Sequence, residues 1–299
     1  MTISIIIPTS RPRALAQLLE SLHNQIFDRS FEIIVVDDNA TESLEQLPFR
    51  VHRCDCKVLA GRRKGPAQAR NLGAKHAAGT YLLFLDDDTV VDPCYLVRVL
   101  EELELRPGHA ISGMQVAIEG RNLFALTSEW LLRLFVEDET IARPRSKFAP
   151  SNGLALRRED FERCGGFDPS FPLAAGEDRE FCERWIATGF RISVLNQLTI
   201  EHHFPESFAS LMKQQWRYGR GKVHYEIRVQ RPPRLRSARF YLRMLVAPAF
   251  HYGMGKGAAV GILSWISQGA IACGYLRERI RSWPQVLAGV PKPEAARGE

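Results

Sequence analysis

Apolar positions along this chain follow two periods. Residues 3–7 form a short apolar run closed by Pro8, a pattern that predicts a buried strand. Leu15, Leu18, Leu19 and Leu22 then recur at helical spacing within 12–24. A second β-rich run, 31–36, ends at Asp37-Asp38-Asn39. Strand, helix, strand in this order predicts a parallel βαβ unit. The order repeats: an Ala-rich helix over 66–78, a strand over 81–85 closed by Asp86-Asp87-Asp88, and a helix over 93–105. Further on, the pattern predicts strands at 111–119, 151–157 and 190–195, the last leading through Leu198-Thr199-Ile200 to His202-His203. It predicts helices at 123–136 and 177–188. The tail 291–299 reads as a frayed end.

After about residue 205 the pattern changes. Between Lys213 and Arg243 lie ten basic residues and one acid, Glu226, a local charge of +9 within a chain whose net charge is +6. Two uncharged runs follow, 244–255 and 257–276, separated by Lys256. The second, at 20 residues, is long enough to cross a bilayer but carries Ser264, Ser267 and Gln268. Gly253, Gly257 and Gly261 form a small-xxx-small series suited to close helix packing. Gly253-Met254-Gly255-Lys256-Gly257-Ala258 formally fits a dinucleotide fingerprint, but no strand precedes it. Basic residues beside apolar helices meet anionic headgroups at about 1 kcal/mol each. The stretch therefore predicts peripheral membrane attachment, with no nucleic acid as partner.

Composition narrows the class. A chain of 299 residues with 45% hydrophobic and 25% charged residues is neither disordered, collagenous nor a polytopic membrane protein. Six scattered cysteines, of which only Cys54 and Cys56 are close, fit neither a zinc site nor a disulfide framework. They predict reduced thiols and a cytoplasmic location. The N-terminal residues read as a strand, not a signal peptide, and Asn39-Ala40-Thr41, a formal glycosylation pattern, carries no weight without one.

The sharpest chemical feature is Asp86-Asp87-Asp88 after an apolar strand. Ligands of open α/β sheets bind outside the carboxyl ends of the strands. Adjacent carboxylates repel, and a divalent cation bridging them to a diphosphate removes that cost. A solvated turn would show the same triplet; a second acidic strand end at Asp37-Asp38 favours the site. Glu177-Asp178 at a helix start is, alone, an ordinary dipole-favoured pair.

Taken in order, Ile5-Ile6-Ile7-Pro8-Thr9, Val35-Val36-Asp37-Asp38-Asn39, Ala69-Arg70-Asn71-Leu72-Gly73, Phe84-Leu85-Asp86-Asp87-Asp88, Gly165-Gly166-Phe167-Asp168 and Gly176-Glu177-Asp178 resemble the family 2 glycosyltransferases over roughly residues 3–220. The resemblance implies an α/β GT-A fold with a mostly parallel central sheet flanked by helices. It implies a catalytic domain at 1–205, with a donor half at about 1–110 and an acceptor half at about 111–205, and an α-helical C-terminal extension at 206–299. It also implies an inverting enzyme using a nucleotide-diphosphate sugar and Mn2+ or Mg2+. Thr9 and Asp38 would contact the base, Arg70 the base or phosphates, Asp87 the ribose and Asp88 the metal. Pro8, Asp86 and Glu177 would line the donor site, and Asp178 would be the general base. In some relatives a histidine completes the metal shell, which points to His202 or His203. Adjacent strand side chains face opposite ways, so one of the two can reach the metal.

Gln214-Gln215-Trp216-Arg217-Tyr218 resembles an element of processive members such as cellulose and chitin synthases, with Tyr218 where those have Trp. Arg217 and Arg220 would screen the diphosphate; a basic helix face reads equally from the same residues. A lipid-linked or envelope glycan is the expected acceptor, at the inner face of the cell membrane. A sugar-nucleotidyltransferase would need a Gly-rich loop after the first strand, where Pro8-Thr9-Ser10-Arg11-Pro12 has no glycine. A non-catalytic scaffold of the same fold would not need the acidic positions.

Overall fold

The computed structural model describes residues 1–10, 15–38, 54–61, 63–118, 122–142, 148–171, 173–233 and 235–282. The expectations placed on Asn39-Ala40-Thr41 and on the tail 291–299 lie outside the described residues. An eight-stranded sheet has the order β3-β2-β1-β4-β7-β6-β8-β5. Its first half is parallel: β1 (Ile3–Thr9), β2 (Phe31–Asp37), β3 (Asp55–Ala60) and β4 (Tyr81–Phe84). In its second half, β5 (Thr89–Val90) and β7 (Leu154–Arg157) run antiparallel to their neighbours, while β6 (His109–Ala117) and β8 (Arg191–His202) are parallel. The helices are α1 (Leu15–His23), α2 (Pro66–Lys75), α3 (Tyr95–Leu105), α4 (Leu123–Ala142), α5 (Arg158–Cys164), α6 (Glu177–Ala187), α7 (Phe208–Arg228), α8 (Ala238–Tyr252) and α9 (Met254–Arg281).

The continuous apolar runs of β1 and β2 have a simple cause: helices cover both faces of the sheet. Ile3, Ile5 and Ile7 pack with Leu15, Leu18 and Leu22 of α1 and with Tyr95 and Leu96 of α3. Ile6 turns the other way, toward Ala67 and Ala74 of α2 and the aromatic group Phe84, Phe161, Phe167 and Phe181. Pro8 does not close β1 as expected; the strand runs on to Thr9. Pairing with β4 stops at Ile6, so Pro8 sits where β1 is open on that side and its missing N–H costs no ladder bond.

Three short elements differ from the sequence pattern. β3 is an edge strand with a mostly exposed face, so its residues lack the apolar run of its neighbours. β5 has two residues and α5 seven, below the length at which periodicity is readable. The runs at 190–195 and 198–202 prove to be one strand. Gly113 pairs with Leu195 but Met114 pairs with Thr199, so β8 carries a bulge against β6. A side chain at Gly113 would collide with the Leu198 backbone, which explains the glycine at that register shift.

The basic stretch is largely neutralised within the fold. Arg243 binds Glu137, Arg236 binds Asp138 and Glu139, Arg231 binds Glu183, Arg228 binds Asp168 and Arg220 binds Glu278. These acids come from α4, α6, α9 and the residues after α5. The +9 counted along the sequence is therefore not a +9 surface. The glycine series does pack helices: α9 rests on α8 at Gly257 and Gly261, beside Pro248 and Leu245. Gly253 instead makes the turn between the two helices, at φ +83°. Gly274 of α9 and Gly219 of α7 then let those backbones meet at Trp216 and Ile271.

Candidate active site

The parallel strands deliver polar residues to one edge of the sheet. Thr9 ends β1, Asp37 ends β2, and Asp86-Asp87-Asp88 follow β4 one residue after Leu85. Thr9 Oγ1 donates to Asp87 Oδ2 at 2.7 Å, tying the end of β1 to the triplet. Asp38 lies beside them, its two oxygens accepting the backbone N–H groups of Lys64 and Gly65, both at 2.8 Å. That carboxylate shapes the loop that opens α2. Gly61 allows it, since a side chain there would press on Asp38.

Arg70 of α2 organises the centre. Its guanidinium, 4% exposed, reaches Asp86 Oδ1 at 2.8 Å and Glu177 Oε1 at 3.2 Å, and stacks over the Phe167 ring. Burial works against the Arg70 charge, but Asp86 and Glu177 outweigh it and raise its pKa. Glu177 is itself pushed up, first by burial and then by the Asp178 charge, and its bond to Arg70 does not bring it back. Its Oε2 has no hydrogen-bond partner among the described residues. Asp178 is raised by burial too, against the Arg179 backbone N–H that it accepts at 2.8 Å. A carboxylate whose proton affinity exceeds the usual range is a better base near neutral pH.

The Arg70-Asn71 and Gly165-Gly166-Phe167-Asp168 motifs interlock to hold this arrangement. Asn71 Nδ2 donates to the Phe167 carbonyl at 2.7 Å, and the Phe167 N–H donates to Asn71 Oδ1 at 2.9 Å. Gly166, at φ +69°, brings the backbone that close; a Cβ there would stand 2.7 Å from Asn71 Oδ1. Asn71 thus fixes the Gly-Gly-Phe-Asp turn under its neighbour Arg70. Asp168, the last residue of the turn, holds Arg228 of α7.

The histidine pair divides as strand alternation requires. His202 Nε2 lies 3.1 Å from Asp88 Oδ1, with Phe204 edge-on to its ring. The ring of His203 is bound to Gln17 of α1 at 2.6 Å, and only its backbone N–H reaches the Asp88 carbonyl. Of the two candidates, His202 is the side chain placed on Asp88 and His203 is not. Among the described residues no three His, Cys, Asp or Glu side chains form a ready cage for an ion. The Asp88–His202 pair still suits one: a carboxylate oxygen and an imidazole nitrogen are ligands for Mn2+, and two protein ligands leave positions for phosphate oxygens. His202 Nδ1 is buried with no partner among the described residues.

Helix α7 forms one wall. The phenol of Tyr218 is pushed up to about 12 by desolvation and, despite Arg217, by the charges of Asp178, Asp86 and Glu177. The side chain as a whole stays 46% exposed. Arg217 is exposed next to it. Arg220 does not reach the site; it binds Glu278 and covers the Trp216 ring, joining α7 to α9. Gln214 and Gln215 are buried, Gln214 accepting from Ser128 of α4 at 2.9 Å, so they anchor the helix. The reading of the sequence passed over Asn152. It is 3% exposed, and its Oδ1 accepts the Asp86 N–H at 3.1 Å. The cue available was the polar triplet Ser151-Asn152-Gly153 at the head of an apolar strand.

The sequence matches the glycosyl transferase family 2 model over residues 4–165, and a second model, the N-terminal domain of galactosyltransferase, over residues 141–206. It is 31% identical over 193 residues to an uncharacterized glycosyltransferase of Haemophilus influenzae, a stretch covering 60% of each chain. It is 34% identical over 97 residues, 31% of this chain and 17% of the other, to the poly(ribitol-phosphate) beta-N-acetylglucosaminyltransferase TarS of Staphylococcus aureus. The chain thus spans less than two thirds of the length of these relatives. Residues 1–349 of TarS in complex with UDP-GlcNAc superpose with a TM-score of 0.55 at 18% identity, over 96% of this chain and 92% of that one. A mannosyltransferase of Pyrobaculum calidifontis in complex with GDP-Man and Mn2+ gives 0.57 at 18% identity, over 96% and 78%. These likenesses bear out the expected fold: a mixed α/β sheet flanked by helices, with further helices at the C-terminal end. With the family model covering more than half of its length, the chain belongs to glycosyl transferase family 2.

Proposed function

We propose that this protein is a metal-dependent, inverting glycosyltransferase that moves a sugar from a nucleotide-diphosphate sugar to an acceptor hydroxyl. One observation carries the reading. Side chains from four distant segments converge on the carboxyl end of β4: Thr9 on Asp87, Arg70 on Asp86 and Glu177, and His202 on Asp88. Thr9, Pro8 and Asp38 lie at the ends of β1 and β2, where a base would sit, with Asp87 toward the ribose. Asp88 and His202 would hold Mn2+ or Mg2+, which when bound neutralises charge on the diphosphate. Arg217 is free to face that charge from α7.

Asp178 would take the proton of the acceptor hydroxyl. As the acceptor oxygen bonds to the anomeric carbon, the bond from that carbon to the diphosphate oxygen breaks, and the single displacement inverts the centre. Arg70 would keep Glu177 and Asp86 from repelling the donor. Residues 1–205 would form the catalytic unit and 206–299 its extension. An envelope polymer or lipid-linked glycan would be the acceptor and the inner face of the membrane the location, a reading supported by the likeness to TarS, a poly(ribitol-phosphate) beta-N-acetylglucosaminyltransferase.

A thermal-shift screen with UDP-GlcNAc and GDP-Man, each with and without Mn2+, tests the donor half. A bound donor raises the melting temperature by mass action. With the donor so identified, Asp178→Asn should abolish transfer and retain the donor shift. Full transfer by that variant would remove Asp178 as the base, and no metal-dependent shift with any nucleotide sugar would remove the whole reading.

A further inference from the structure

Eighteen large apolar side chains are exposed among the described residues, and eleven of them fall between Leu235 and Ile280. They are arranged, not scattered. On α8, Leu242, Val246 and Phe250 recur every fourth residue on the side turned from the core, and Phe250 is 84% exposed. On α9, Ala258, Ile262, Ile266, Gly269, Cys273, Leu276 and Ile280 follow at helical spacing on an exposed face that carries no charge. Met254, 76% exposed, sits at the turn between the helices. Trp265 joins the two, its ring 5.8 Å from Tyr241. The opposite faces are accounted for: Gly257 and Gly261 meet α8, and Gly274 meets α7. Little of the apolar stretch of α9 is buried within the fold.

The charges around these stripes have one sign. Arg239 lies one turn before Leu242, Lys256 follows Met254, and Arg279 and Arg281 end α9. None of the four has an acidic partner among the described residues, unlike most of the basic stretch before them. The single acid from 235 to 282 is Glu278, which is buried against Arg220 and His224. A second copy packed face to face would set basic rim against basic rim. An anionic lipid surface offers the complementary sign beneath an apolar layer.

We infer that the exposed faces of α8 and α9 form a membrane-docking surface. Leu242, Phe250, Met254, Ile262 and Ile266 enter the acyl boundary, and Arg239, Lys256, Arg279 and Arg281 meet anionic headgroups. The helices lie in the interface and do not span it, because their inner faces are occupied by α7 and α4. This deepens the membrane location proposed above and rests on that location, not on the chemistry of transfer.

Flotation of the full chain with vesicles tests it. The protein should float with vesicles of 70% phosphatidylcholine and 30% phosphatidylglycerol, and release in high salt. Arg239→Gln with Lys256→Gln should weaken binding about fivefold for each charge removed. Phe250→Glu with Met254→Glu should lower the bound fraction at least tenfold; both residues are exposed, so circular dichroism should match the parent. Neither pair should alter the nucleotide-sugar thermal shift, which reports the donor site separately. A parent protein that stays unbound at low salt overturns the inference, as does equal flotation of the Glu pair. A parent that sediments as a dimer, with the Glu pair monomeric and neither binding vesicles, would reassign the surface to self-association. In either case the donor shift still stands or falls alone.

Discussion

Gly221 links the C-terminal helices to the proposed base, and replacing it with alanine isolates that link. Gly221 of α7 lies against Ala175, two residues before Glu177. A Cβ at 221 would stand 2.4 Å from both the Ala175 Cβ and the Ala175 carbonyl oxygen, against the 3.4 Å of ordinary contact, so the two backbones must part by about 1 Å. Gly176 cannot absorb the motion easily. It occupies φ +95°, and a Cβ on it would itself stand 2.8 Å from the Gly221 carbonyl oxygen. The displacement passes to the start of α6, where Asp178 sits.

The stability effect should be small. Overpacking costs about 1–3 kcal/mol, and alanine regains about 1 kcal/mol over glycine in a helix. The net loss is then about 0–2 kcal/mol. Turnover should fall far more, because misplacing a catalytic group by about 1 Å is worth on the order of 100-fold. We expect Gly221→Ala to retain the donor thermal shift and lose roughly 100-fold in kcat, read as nucleoside diphosphate release at saturating acceptor. Gly269→Ala is the control. Nothing lies within 4 Å of a Cβ there, so turnover should hold and stability should rise by about 0.5–1 kcal/mol. Parent kcat in Gly221→Ala would refute the argument that α7 positions Asp178.

Other outcomes follow from the same geometry. His202→Ala should weaken the Mn2+ dependence of donor binding at least tenfold, while His203→Ala should leave it unchanged; equal effects would void the division between them. Asn71→Ala strands the N–H and carbonyl of Phe167, and urea unfolding should show a loss of about 2–3 kcal/mol. Asp178 is held above the usual carboxylate range, so the native state keeps a proton that the unfolded chain releases, and stability falls as pH rises through that range. Asp178→Asn should therefore melt higher than the parent above neutral pH, and the acid limb of kcat/KM should lie above the ordinary aspartate value. Cys94 and Cys273 are exposed, whereas burial pushes Cys54 up to about 12 and also raises Cys56, Cys164 and Cys182. Ellman's reagent at pH 8 should find two fast thiols in the native protein and six after denaturation.

In the sheet's parallel half β1, β2 and β4 were legible because burial on both faces leaves an unbroken apolar run, whereas β3, an exposed edge strand, was not. The acidic strand ends were legible for a related reason: three adjacent carboxylates have no place in a core, so they mark where the chain leaves it. The partners of those residues were not. Arg70 and Glu177 are 107 positions apart, and Asp88 and His202 are 114 apart. No periodicity encodes such pairings. Asn152 was missed because its role is a single side-chain bond to the Asp86 backbone, and a polar triplet at the head of a strand reads equally as a turn. The choice between His202 and His203 needed only the phase of β8, yet the bulge near Leu198 conceals that phase from a count along the strand.

The basic stretch shows where counting along the chain goes astray. Charge summed over neighbours in sequence describes a surface only if the counter-charges are also neighbours in sequence. Here they are not. Glu137, Asp138 and Glu139 of α4 meet Arg236 and Arg243, roughly a hundred residues later, and Glu139 also holds Arg179, the residue after the proposed base. The stretch works as a set of clamps between α4, α6, α7 and α8, and its arginines hold the wall of the site together. The positive charge left for a lipid surface sits instead at Arg239, Lys256, Arg279 and Arg281, three of them beyond the run that first drew attention. Membrane attachment remains the reading, but it moves from the basic helix α7 to the apolar pair α8 and α9. That shift changes the experiment: charge-neutral variants at Arg236 or Arg243 should unfold more easily without a specific loss of vesicle binding, since those side chains are already paired.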